Sequence, residues 1–176
     1  MQRYIIFLKS VTFDRSPLPS ECPMLLAEYI ELSEETKAMP SLNHSWICAE
    51  ILRQLFQQPQ VQALPELTLE LGGQPMIPAI SVFAEPLLVN LRQDQIRVRQ
   101  VPMLAIEVVS PTQPTADVLE KARQLQQWGV PTVWVVEPTT ETVIVLDQGQ
   151  ERVARGEVLS CGSTRVDFSK IFVSHG

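Results

Sequence analysis

The chain has 176 residues, 45% of them hydrophobic and 19% charged, with a formal net charge of −6. That is one domain of ordinary size with enough apolar content for a real core. A sequence pI near 5.0 argues against bulk electrostatic binding to nucleic acid, although a small basic groove can sit in an acidic protein. The three cysteines, Cys22, Cys48 and Cys161, are scattered and odd in number, which suggests free thiols in a reducing compartment. Met1 to Lys9 is too brief an apolar run for a signal segment, and no stretch approaches a membrane span, so the expected location is the cytoplasm.

Tyr4 to Leu8 reads as a strand. Asp14 to Pro23, with three prolines, reads as a loop; Met24 to Leu32 fits a strand or a short helix, and Ser33 to Pro40 is irregular. Ser41 or Asn43 can then cap a helix running to about Phe56, with Trp46, Ile51, Leu52 and Leu55 as its core stripe. Leu64 to Leu71 alternates apolar and polar residues, as a half-buried strand does. Gly72-Gly73-Gln74-Pro75 turns the chain, and Met76 to Phe83 returns as the second arm of a hairpin. Glu85 to Gln100 is a polar connection with Arg92, Arg97 and Arg99 close together; a solvated face is the ordinary reading and a phosphate-facing one the sharper.

Met103 to Val109 is apolar at every position but one, Glu107, and reads as a strand buried on both faces. After a break at Ser110-Pro111-Thr112-Gln113-Pro114, Thr115 to Trp128 has helical spacing at Val118, Ala122, Leu125 and Trp128 and stops at Gly129. Lys121 shares the side of Val118 and Leu125. A carboxylate inside a buried strand, followed by a lysine on the inward edge of the next helix, is costly for a plain core. Such groups need a partner, a metal or a ligand. Thr132 to Val136 is another buried strand, so 103–109, 115–128 and 132–136 form a βαβ crossover with parallel strands. Thr142 to Leu146 and Arg152 to Ala154 can pair through Asp147-Gln148-Gly149; Gly156 to Thr164 is loop or edge strand, and Val166 to Val173 closes the chain with a strand and a short helical turn. The expected class is α/β (α+β): a mixed sheet with helices on its faces, in a single domain 1–176 with a core at 42–173 and an extension at 1–41.

Ile80-Ser81-Val82-Phe83, Leu104-Ala105-Ile106-Glu107-Val108-Val109-Ser110-Pro111, Asp117, Lys121, Gly129-Val130-Pro131 and Trp134-Val135-Val136-Glu137-Pro138 together resemble the Uma-two family. This nuclease family, abundant in cyanobacteria, has the PD-(D/E)XK restriction-endonuclease fold, and the resemblance spans roughly residues 42 to 173. It implies a phosphodiesterase site in which two acidic groups hold a divalent cation, Mg2+ or Mn2+, with a lysine near the attacking water. Magnesium prefers oxygen ligands and keeps several waters. It lowers the pKa of a bound water and offsets charge growing on the phosphate. Glu107 matches the family glutamate and Lys121 the helix lysine, while Val109 stands where the usual motif has lysine; Asp117 matches an acidic neighbour one turn before Lys121. DNA as partner and a homodimer, by analogy with folds that pair to cut two strands, belong to the same implication.

One position departs from the family. The first metal aspartate is expected after the proline that precedes Ile80-Ser81-Val82, and here Pro78 is followed by Ala79. Alanine ligates nothing, so the site is degenerate at this position unless another carboxylate takes over. Glu70 on the hairpin and Glu50 on the first helix are the two candidates. The chain is then either a divalent-metal-dependent nuclease acting on DNA or a catalytically silent relative that binds nucleic acid or a protein. Plainer readings stand beside each residue: Glu107 as a strand-edge carboxylate, and Lys121 paired with Asp117 along the helix. His44 reads as a helix-start residue with Cys48 four residues on, the three tryptophans as core, and Ser110 lacks the setting of a serine hydrolase.

Overall fold

The computed structural model describes residues 40–173. The strand expected at Tyr4 to Leu8 and the segments 14–23, 24–32 and 33–39 lie outside the described residues.

The first described helix, α1 (Leu42–Leu55), begins where Ser41 accepts a hydrogen bond from the His44 backbone N–H at 3.2 Å. Ser41 is thus the cap, of the two candidates. The buried face of α1 is Ile47, Glu50, Ile51 and Leu55. Trp46, expected in the core stripe, is 45% exposed instead, and Ile47 one position on takes the inward place. The spacing of Ile47, Ile51 and Leu55 is a strict four-residue one, and Trp46 falls about 100° away from it.

The hairpin at 64–83 exists but is divided. Its outer arms are β1 (Gln62–Pro65) and β4 (Ile80–Phe83), paired antiparallel with Pro65 opposite Ile80. Its inner arms, β2 (Leu69–Leu71) and β3 (Gln74–Met76), form a separate two-stranded ribbon closed by Gly72 and Gly73. Between them the backbone of Glu66 takes φ +48°, which breaks strand continuity. The polar connection carries no long element, but Val98 bridges Leu69 in parallel fashion and exchanges backbone hydrogen bonds with Thr68 and Glu70.

The crossover is as expected: β5 (Leu104–Val108), α2 (Thr115–Gln127) and β6 (Thr132–Glu137), with β5 and β6 parallel. Every residue of β5 is buried. The hairpin β7 (Thr142–Asp147) and β8 (Gln150–Arg155) extends the sheet, which runs β1-β4-β5-β6-β7-β8. Residues 156–164 do more than skirt the edge. Val158–Cys161 (β9) pairs with Thr164–Asp167 (β10) as an additional hairpin, followed by a single 3-10 turn at Phe168–Lys170.

Two apolar layers result, one on each face of the sheet. On one face Ile47, Ile51 and Leu55 of α1 pack with Ile80, Leu104, Ile106 and Trp134, closed by Leu159, Val166 and Phe168. On the other, Val118, Ala122 and Leu125 of α2 pack with Ala105, Val133 and Val135, and the β2–β3 ribbon adds Leu69 and Leu71. Trp134 meets Phe168 edge-on at 5.9 Å between ring centroids. Among the described residues, no helix is long and apolar enough to cross a membrane.

Candidate active site

Alternation along β5 decides where its carboxylate points. Leu104, Ile106 and Val108 face α1, so Glu107 faces the α2 side with Ala105 and Val109. Lys121 comes off α2 between Val118 and Leu125 and meets it there: Nζ lies 2.8 Å from Glu107 Oε1. The Glu107 side chain is 8% exposed and that of Lys121 33%. The ammonium also donates to the Ile77 carbonyl at 2.7 Å, and the Ala79 backbone N–H donates to the Glu107 carboxylate. Apart from this ion pair with Lys121, Glu107 Oε1 is buried without a partner. Burial pushes the Glu107 carboxyl above its usual range, against the ammonium and the Ala79 N–H, which pull it down.

These groups line a cleft of about 430 Å³ whose walls include His44, Glu66, Ile77, Ala79, Gln113 and Lys121. Ala79 is buried, at 9% exposed, and contributes a methyl group where the motif calls for a carboxylate. Neither expected substitute lines this cleft. Glu70 is held by Arg99 at 2.6 Å and Arg97 at 3.4 Å, and the Arg99 guanidinium keeps its carboxyl below the ordinary value. That contact also engages two of the three clustered arginines. Glu50 is buried on α1 and bound by Arg53 one turn later. Asp117 is exposed on the first turn of α2, where it suits the positive end of the helix, and Lys121 turns to Glu107 and Ile77 rather than to it.

Two cleft residues escaped the sequence reading. His44 makes its helix-start hydrogen bond through its backbone, while its ring enters the cleft wall with Nδ1 4.0 Å from Cys48 Sγ. Burial lowers its pKa, opposed by the neighbouring Glu66 carboxylate, and Lys121 lowers it further. Cys48 is pushed up to about 12 by burial and by the Glu66 and Glu107 charges, so its thiol stays protonated and unreactive. Glu66 lines the cleft from the bend after β1. In the sequence it occupies a polar place in an alternating run, which any solvent-facing strand residue would share; only its left-handed backbone sets it apart.

Comparison with known proteins adds a family to this geometry. A family model, Uma2, described as a putative restriction endonuclease, matches residues 21–168. The chain belongs to the Uma2 family. The described fold is likewise that of a solved relative: a crystal structure of a putative nuclease belonging to DUF820 from Anabaena variabilis ATCC 29413 is similar with a TM-score of 0.64. The two sequences are 22% identical, over 76% of this chain and 82% of that one. Among curated proteins, none matches. Restriction-endonuclease-like folds of the Uma2 kind generally use divalent metals. Among the described residues, no group of three or more His, Cys, Asp or Glu side chains is gathered as a metal cage. A hydrated hard cation asks less than a cage: one or two carboxylates and room for waters, which a cleft of this size with an unfilled Glu107 oxygen offers.

Proposed function

We propose that this Uma2 protein hydrolyses phosphodiester bonds in DNA with the help of a divalent cation, Mg2+ or Mn2+, and that Glu107 and Lys121 are its catalytic pair. The observation that carries the reading is the contact between Glu107 and Lys121 at 2.8 Å over an open cleft. A buried carboxylate beside an ammonium is expensive in a merely structural role, and two apolar residues of similar size would fill the same space at no electrostatic cost. Glu107 would hold the cation through its unfilled oxygen. The cation, when bound, supplies an acidified water and positive charge against the phosphate.

The chain's own residues do the rest. Lys121 sits at the cleft with a third of its side chain exposed, so it can meet a phosphate oxygen. Its charge offsets the negative charge that grows on the phosphate as the bond breaks. The Ala79 N–H favours the charged form of the Glu107 carboxylate. His44 stands at the cleft wall, its pKa lowered by burial.

A second reading rests on one residue. Ala79 puts a methyl group into the cleft, which suits a protein that keeps the fold and binds nucleic acid without cutting it. Plasmid nicking in Mg2+ and in Mn2+ tests both. Nicking by the wild type that Lys121→Ala reduces about a hundredfold or more supports the enzyme. Nicking that arises only in Ala79→Asp supports the silent form. Nicking by neither, with no DNA retardation, overturns both.

A further inference from the structure

The pairing registers place three residues in one row. Pro65 stands opposite Ile80 across β1 and β4, and Ile80 opposite Ile106 across β4 and β5. One residue further along, Glu66 falls opposite Ala79 and Ala79 opposite Glu107. A backbone hydrogen bond marks the first step, the Glu66 N–H donating to the Ala79 carbonyl at 3.1 Å. Ala79 is therefore flanked by Glu107 on β5 and by Glu66 at the bend after β1, and all three residues line the same cleft.

We infer that Glu66 supplies the carboxylate that position 79 lacks, so that a divalent cation in this cleft is held between Glu66 and Glu107. Neighbouring strands lie about 4.8 Å apart, so two strands separate the backbones by about 10 Å. An aspartate at position 79 would reach a cation from the middle of the row. From one strand further out the longer side chain is needed, and Glu66 is a glutamate. The second support is independent of Glu66: apart from its ion pair with Lys121, Glu107 Oε1 is buried at the cleft without a partner. A lysine alone leaves that oxygen under-used, whereas a hard cation takes it directly. Two carboxylates and one lysine also carry a net negative charge to which a dication is the natural complement.

This inference rests on the metal-dependent reading of the cleft, and binding measurements separate the two. Mn2+ is titrated, by calorimetry and by the loss of its free-ion magnetic resonance signal, into the full chain and into Glu66→Gln, Glu107→Gln, Ala79→Asp and the double variant Glu66→Gln/Ala79→Asp. Thermal melts in the absence of metal verify that each variant folds. The expected result is one site in the wild type, weakened about tenfold or more in Glu66→Gln and in Glu107→Gln, and restored in the double variant. Unchanged affinity in Glu66→Gln, with loss in Glu107→Gln, overturns the role of Glu66 and leaves the cleft as the metal site. If the wild type binds no Mn2+ but Ala79→Asp does, Glu66 is again overturned while the cleft stands. Indifference of binding to all the variants, or absence of binding in wild type and Ala79→Asp alike, overturns both.

Discussion

At the scale of single residues, the protein turns on a carboxylate that the fold would rather keep neutral. Burial raises the folded pKa of Glu107 above its unfolded value, with Lys121 and the Ala79 N–H only partly opposing it. A raised folded value means that the stability contribution is fully present below the unfolded pKa and is lost as pH rises through the folded one. Glu107→Gln removes that loss. Thermal melts of the metal-free protein from pH 5 to pH 9 are therefore expected to show the variant gaining on the wild type as pH rises; a constant gap would contradict the assignment. Lys121→Ala works the other way. It leaves Glu107 buried without its cation, at a cost of about 1–3 kcal/mol at pH 8, less than for a fully enclosed pair because the lysine is partly solvated. The cost shrinks as pH falls and Glu107 moves toward its protonated form, and urea unfolding at pH 8 and at pH 5 reads the difference.

At the scale of elements, the β2–β3 ribbon is held down at one point. Gly72 has φ +58°, and a Cβ there would fall inside the Trp128 indole at the end of α2. Gly73 has φ +79° with nothing within 4 Å of such an atom. Both alanine variants carry the left-handed backbone cost of about 1 kcal/mol, but Gly72→Ala adds displacement of a tryptophan, about 1–3 kcal/mol more. Chemical denaturation of the two variants should rank them in that order, and equal losses would mean that the indole yields freely. Ser41→Ala, which deletes the α1 cap, is expected to cost about 1 kcal/mol by the same measurement.

The same elements show what was legible in the chain. The unbroken apolar run of β5, the helical spacing of α2 and the second run at β6 are long, regular signals, and the crossover follows from them. The Glu107–Lys121 meeting was legible for the same reason, since strand alternation and helix phase each fix one partner. The β9–β10 hairpin was not: its strands have four residues each, and although their burial alternates, the exposed Val158 next to the buried Leu159 hides that alternation in the residue types. Trp46 misled because helical spacing allows Trp46 or Ile47 on that turn, and the register of Ile47, Ile51 and Leu55 puts Trp46 on the flank. Glu66 reached the cleft through a backbone bend that a polar residue in an alternating stretch does not announce.

At the scale of the whole molecule, charge sets the terms on which DNA could be met. The chain is acidic overall, and Arg97 and Arg99, the obvious phosphate contacts, are bound to Glu70. Few phosphates can then be neutralised, so the affinity for duplex DNA should fall only gently with salt, with a log–log slope of magnitude about 3 or less. Fluorescence anisotropy across 50 to 200 mM salt (roughly the range over which strongly basic binders lose most of their affinity) checks this, and a steep slope would contradict it. The lysine's grip on the Ile77 carbonyl has a mechanical corollary. It staples the middle of α2 to the link between β3 and β4, the segment that leads into Ala79. Any phosphate that draws the ammonium toward itself slackens that staple, and the amide protons of the neighbouring hairpin should then exchange with solvent faster, so that occupancy could be followed without a single bond being cut.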